Sequence, residues 1–195
     1  MGGGSSSDVL REALAGSDEA LDALYRRYGP RLLAFIRLKM GRSLRARLES
    51  RDILQTTFLR SFERLDDFQG DNTRSLLGWL MRIAEREIHD RADFHGRQQR
   101  DARRDADVND YAEALAVRTR SALTRVILDE QAERLDAALA ELSEPHRQVI
   151  ILRAFEERSF PEIARKMGKS DDACRMLYAR AMTALTLALS RASKA

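Results

Sequence analysis

Apolar residues recur at spacings of three and four along most of the chain, and no run alternates apolar with polar residues as a half-buried strand would. The pattern predicts an all-α protein. Ser17 is placed to cap a helix running toward Tyr28, and Gly29-Pro30 predicts a break before a second helix from Arg31 to Leu48, with apolar positions at Leu32, Leu33, Ile36, Met40 and Leu44. The segment SRDILQTTFLRSFERLDDF follows, with Ile53, Leu54, Phe58, Leu59, Phe62 and Leu65 in helical register. Gln69 to Ser75 has loop chemistry, and a long helix is expected from about Leu76 to Arg97. Leu77, Leu80, Ala84 and Ile88 form its buried stripe, while Trp79, Arg82 and Arg86 share a neighbouring face where a ring among guanidinium groups could stack on unpaired bases. The same spacing suits a tryptophan that is simply core. From Gln98 the periodicity weakens, and it resumes with Ile127, Leu128, Ala132, Leu135, Leu139 and Leu142. Ser143-Glu144-Pro145 then starts a helix carrying Val149, Ile150 and Phe155.

Residues 159–180, SFPEIARKMGKSDDACRMLYAR, have the pattern of a helix-turn-helix. Ser159 and Glu162 are spaced as a capping box, and Phe160, Ile163 and Met167 fall on one face. Ala164 lies where two helices would cross, and Gly168 supplies a turn residue that tolerates positive φ. Ser170 caps again, Asp171 and Asp172 occupy the first turn of the second helix, and its inward positions are Cys174, Leu177 and Ala181. Arg175, Met176, Ala179 and Arg180 are left facing out, and two arginines on such a face can bind guanine edges or phosphates in a major groove. An ordinary helical hairpin would show much of the same pattern.

Composition sharpens this picture. The chain has 195 residues, enough for one large or two small domains, and 33% of them are charged. Net charge is only +3, yet residues 26–51 hold nine Arg or Lys against the single acid Glu49, and residues 158–194 hold eight basic against three acidic residues. The intervening 129–157 is acidic, so two separate basic regions could meet a polyanion. One cysteine excludes an internal disulfide and fits a reducing, cytoplasmic setting. No apolar run predicts membrane insertion, and MGGGSSSDV reads as part of a flexible leader. His89, His95, His146 and Cys174 stand at no ligand spacing, and no glycine-rich phosphate loop or nucleophile motif is present. Neither metal, cofactor nor enzymatic activity is expected.

Taken in order, these segments resemble the small bacterial sigma-70 factors of the extracytoplasmic-function (ECF) type. The likeness covers about residues 20–97 and 131–190. DILQTTFLRSF at 52–62 resembles the family's polymerase-binding helix, LLGWLMRIAEREIHDR at 76–91 its promoter-melting helix, and LAELSEPHRQVIILRAFEERSFPEIARKMGKSDDACRMLYARAMTAL its domain for the upstream promoter element. The resemblance implies a leader over 1–16, a region 2 helical bundle over 17–97, a linker over 98–126 and a region 4 domain over 127–192. It also implies a non-catalytic specificity subunit that binds core RNA polymerase and promoter DNA, with an anti-sigma protein among the partners the family allows.

Carried over by position, Asp52, Gln55 and Leu59 would contact the polymerase. Phe68, Gln69, Asn72 and Arg74 would capture a base flipped from the downstream (−10) element, and Trp79, Arg82 and Arg86 would hold the opened strand. Arg175, Met176, Ala179 and Arg180 would face the upstream (−35) element, while Asp105, Asp107, Asp110 and Glu113 in the linker would thread toward the active-site and RNA-exit path. The chain departs from the family's pattern at Thr56, where Glu is usual, at Arg86, where Asn is common, and at Leu177-Tyr178, where Arg-Leu is frequent. Glu85 and Glu87 add negative charge beside Arg86. Read from the residues alone, a free-standing DNA-binding regulator and a helical protein-binding adaptor remain as alternatives.

Overall fold

The computed structural model describes residues 6–68, 73–98, 134–135 and 137–192. All regular structure among them is helical. The described residues fall into two compact units, one made from those up to Ile36 together with those within 47–98, the other from Arg37–Ala46 together with those within 134–192.

The first unit opens with α1, Ser6–Leu14, inside the segment expected to be a flexible leader. It packs on α4, and Ala13 is buried. The Oγ of Ser17 accepts the amide of Ala20 at 3.3 Å, the expected cap, and α2 spans Asp18–Arg45, its residues up to Ile36 belonging to this unit and Arg37 onward to the second. The break expected at Gly29-Pro30 does not occur: Pro30 lies inside α2, and the non-helical residue is Gly41, with φ 59° and ψ −176°. A proline within a helix loses one hydrogen bond and crowds the preceding turn. Here Tyr28, Leu32, Leu33 and Ile36 are buried around it, so core packing carries the helix through.

α3, Ser50–Glu63, buries Ile53, Leu54, Thr57, Phe58 and Ser61. The Thr57 and Ser61 hydroxyls donate to the carbonyls of Ile53 and Phe58, which satisfies two polar groups inside the core. Phe58 stacks at a tilt on Tyr25, with ring centroids 4.8 Å apart. A 3₁₀ turn over Leu65–Asp67 leads to Phe68, and α4 spans Thr73–Gln98, starting earlier than expected. Its stripe of Leu77, Leu80, Ala84 and Ile88 is buried as expected, joined by Leu76 and Met81.

In the second unit, α5 is Glu144–Ile150, with Ser143 as its N-cap residue and Pro145 in its first turn. The buried Arg147 donates to the carbonyl of Leu142 and pairs with Glu144, tying the start of α5 to the preceding turn. Val149, Ile150, Ile151 and Leu152 are all buried. Four consecutive residues cover more than one helical face. After Ile150 the helix widens into a π-turn over Ile151–Phe155. α6, Phe160–Met167, and α7, Asp171–Ala192, pack on each other, and α5 packs on α7. Ile163, Ala164, Cys174, Ala181 and Ala188 form their shared core.

Candidate nucleic-acid and polymerase interfaces

The helix-turn-helix has the geometry its residues predict. Glu162 accepts the backbone amide of Ser159 at 2.8 Å and its hydroxyl at 2.7 Å, so the carboxylate satisfies the helix start from the N3 position. Gly168 sits at φ 63°, ψ 38°, closing α6 through the bond from the Lys169 amide to the Ala164 carbonyl. Ser170 Oγ accepts the amide of Ala173 at 3.2 Å and caps α7. Small Ala164, expected at the crossing, is buried, 5% exposed. Cys174 and Ala181 are buried with Leu177 partly so, and Arg175, Met176, Ala179 and Arg180 are exposed together on the opposite face.

Some of the local structure is not visible in spacing. Phe160, expected on the inner face with Ile163 and Met167, is half-buried. The guanidinium carbon of Arg175 lies 4.7 Å from the centroid of its ring, and that of Arg153 lies 5.1 Å away. Tyr178 meets the same ring edge-on at 6.2 Å. Arg158, just before α6, and Glu162, Arg165 and Lys166 on it line a shallow groove, and Glu156 lies 3.4 Å from Arg158 and 3.7 Å from Lys166. The basic count of residues 158–194 signals this second cationic surface. The clustering of Arg153 and Arg175 on one ring has no sequence signal, because Arg153 belongs to the π-turn and lies outside the motif.

In the first unit, Asp52 is exposed and Gln55 and Leu59 are half-exposed on the face of α3 opposite its core. Phe68 and Trp79 are both half-buried and lie against each other, with centroids 5.3 Å apart and planes at 47°. The tryptophan is therefore neither plain core nor a freely exposed platform. Arg82 and Arg86 are exposed one and two turns beyond it, and among the described residues no ion pair holds either one. Gln69 and Asn72 lie outside the described residues, as do Asp105, Asp107, Asp110 and Glu113. Arg74 is in the first turn of α4, but its side chain lies outside them too.

The charge attributed to Glu87 is redirected. Glu87 is only 3% exposed and faces α3, not the surface of Arg86. One carboxylate oxygen accepts Arg91 Nε at 2.7 Å. The other lies 2.7 Å from Arg60 of α3, as an ion pair without a well-aligned N–H. Arg91 in turn donates to the hydroxyl of Thr56 at 2.9 Å. Thr56, one of the departures from the family's pattern, is thus part of a polar tie between α3 and α4. Among the described residues no three His, Cys, Asp or Glu side chains come together as a metal site would require, and no helix is long and apolar enough to cross a membrane.

Residues 24–99 match the model of sigma-70 region 2, and residues 132–185 match that of sigma-70 region 4. The chain is 30% identical over 189 residues to the RNA polymerase sigma factor NccH of Alcaligenes xylosoxydans xylosoxydans, covering 93% of this chain and 92% of that protein. It is 27% identical over 183 residues to the RNA polymerase sigma-H factor of Pseudomonas aeruginosa, covering 93% and 92%. Over 178 residues it is 26% identical to the ECF sigma factor BldN of Streptomyces coelicolor, covering 91% of this chain and 63% of that one. Among solved structures, CnrH in complex with the cytosolic domain of CnrY aligns with a TM-score of 0.44 at 23% identity, over 95% of this chain and 97% of that one. With two family regions in order and a relative matched over nearly its whole length, the chain belongs to the ECF group of sigma-70 factors, the RNA polymerase subunits that bind the core enzyme and direct promoter recognition, DNA melting and transcription initiation.

Proposed function

We propose that this factor reads its promoter through two separate faces and makes no bond itself, acting as a non-catalytic cytoplasmic subunit of the polymerase. The outer face of α3, with Asp52, Gln55 and Leu59, binds the core enzyme. Phe68, Trp79, Arg82 and Arg86, with Gln69, Asn72 and Arg74, hold the opened strand of the downstream element. Arg175, Met176, Ala179 and Arg180 face the duplex upstream element.

One observation carries this reading. α4 and α7 each turn guanidinium groups outward from a helix whose inner face is core, and among the described residues Arg82, Arg86 and Arg180 have no acidic partner. An arginine held to a protein carboxylate would have to lose that partner before meeting phosphate or a base edge. Beside the α4 pair, the Phe68–Trp79 couple offers an aromatic surface, and stacking is worth roughly 1–3 kcal/mol per base. A strand opened against this surface would regain part of the few kcal/mol that unstacking costs.

The test uses reconstituted holoenzyme. Arg86→Ala and Trp79→Ala should slow open-complex formation on duplex promoters, read by permanganate reactivity of unpaired thymines. Much of the Arg86→Ala defect should disappear on a template already mismatched across the downstream element. Equal defects on duplex and mismatched templates would remove the melting role from α4.

A further inference from the structure

We infer that Phe160 is a specificity-determining positioning residue, the ring on which Arg175 is held ready for the base edge it reads. This rests on the reading of α7 as the promoter-facing helix. An arginine on a solvent-exposed helix face ordinarily samples many rotamers, and ordering it on a base costs conformational entropy. Arg175 has that order in advance, because its guanidinium lies over the Phe160 ring at 4.7 Å. A guanidinium held over a ring by cation–π attraction still has its N–H donors to offer, so the same group can make a bidentate contact with guanine.

The ring itself is held from three directions. Its backbone opens α6 directly after the Ser159–Glu162 capping box. Tyr178, one turn beyond Arg175 on α7, meets its edge at 6.2 Å. Arg153 lies over the ring at 5.1 Å and donates to the carbonyl of Arg158 at 3.0 Å, bracing the loop that enters α6. Two unusual backbone features lie in the same segment as Arg153. The π-turn over Ile151–Phe155 closes with the Glu156 amide on the Ile151 carbonyl at 2.9 Å, and Glu157 follows in the left-handed region at φ 55°. Single π-turns are frequent where a helix has to present a particular side chain, and a left-handed glutamate persists only when its surroundings impose it. Here both features precede the helix that Phe160 opens.

The experiment compares Phe160→Leu, Phe160→Tyr, Arg175→Ala and the double variant Phe160→Leu/Arg175→Ala in holoenzyme, on a promoter library randomised across the upstream element. Arg175→Ala should flatten the preference at one base position. Phe160→Leu should reduce preference at that same position about two- to fivefold, the range expected for losing an exposed cation–π contact, and leave other positions within about twofold. Phe160→Tyr should keep the wild-type preference, and Phe160→Leu should add nothing once Arg175 is gone. A second readout needs no DNA: in the free full-length protein, ring current from Phe160 should shift the Arg175 side-chain protons upfield, and the shift should vanish in Phe160→Leu. Should the leucine variant fold poorly, the proton shift in the wild-type protein and the behaviour of Phe160→Tyr decide. A flattened preference in Arg175→Ala with none in a folded Phe160→Leu overturns the positioning role and leaves base reading intact. No change in Arg175→Ala overturns base reading, and the positioning role with it. Uniform weakening across all sequences by Phe160→Leu, or an absent proton shift in wild type, also overturns the inference.

Discussion

Glu162 accepts two hydrogen bonds from Ser159, and its acidity follows. The hydroxyl and then the amide of Ser159 favour the charged form, Arg158 and Arg165 add to this, and together they outweigh a small desolvation, so the carboxyl titrates below its ordinary value of 4.5. A carboxylate depressed in the folded state contributes stability that is fully present above the unfolded value and is lost as pH falls through the folded one. Thermal melts should therefore separate wild type from Glu162→Gln most widely above pH 4.5 and bring them together below it. Because the group is exposed, the gap should be small. Arg180, exposed and without a partner among the described residues, belongs to the same scale. Arg180→Ala should weaken binding to the upstream element by roughly 1–3 kcal/mol if it reads a base. A uniform loss with a shallower salt dependence would instead identify a phosphate contact. Of these residue-scale features the capping box was legible as a Ser and a Glu three apart, whereas the ring under Arg175 was not, since it depends on how α6 and α7 cross.

At the scale of elements, α3 and α4 are joined by more than their apolar faces. Glu87 pairs across to Arg60 and along α4 to Arg91, and Arg91 reaches Thr56. Urea unfolding of Glu87→Ala should show a loss of roughly 1–3 kcal/mol, the cost of leaving hydrogen-bonding groups unmatched, moderated because Arg60 and Arg91 can turn to solvent. Thr56→Val removes one neutral partner and should cost about 0.5–1.5 kcal/mol. A result in the reverse order would mean that the carboxylate is not the centre of the tie. In α2, Pro30 is exposed within the helical stretch that precedes Gly41, so Pro30→Ala should restore an amide donor and raise the melting temperature, helix stability gaining up to about 3 kcal/mol. The local preferences of Gly29-Pro30 predict a break there because they carry no information on Tyr28, Leu32 and Leu33 in the core on either side. The break at Gly41 is hidden for a similar reason, since a glycine in an amphipathic pattern gives no sign of which conformation its neighbours will demand.

For the whole molecule, initiation requires one chain to hold the polymerase while it meets DNA in both duplex and single-stranded form. Asp52, Gln55 and Leu59 lie on the outer face of α3, away from its core, so substitution there should act on assembly and not on folding. Asp52→Arg with Gln55→Ala should leave helicity unchanged by circular dichroism and sharply reduce co-purification with core polymerase, since a few interface residues usually dominate binding. Normal assembly by this double variant would move the polymerase contact elsewhere.

What the sequence determined by itself is everything that depends on neighbours three or four residues apart. The all-helical class, the buried stripes of α3 and α4, the two caps and left-handed glycine of the helix-turn-helix, and the exposed set Arg175, Met176, Ala179 and Arg180 all follow from helical periodicity and the chemistry of helix ends. Tertiary structure decided the rest. It carried α2 past Pro30 and bent it at Gly41, widened the helix after Ile150, and set Phe68 against Trp79. It also turned Glu87 from an apparent surface charge into the buried centre of a polar tie, and it put Phe160 under the guanidinium of Arg175. The physical reason is common to all of them. Each is settled by packing or charge pairing between elements distant in sequence, whose energies exceed the local preferences that a single chain segment expresses.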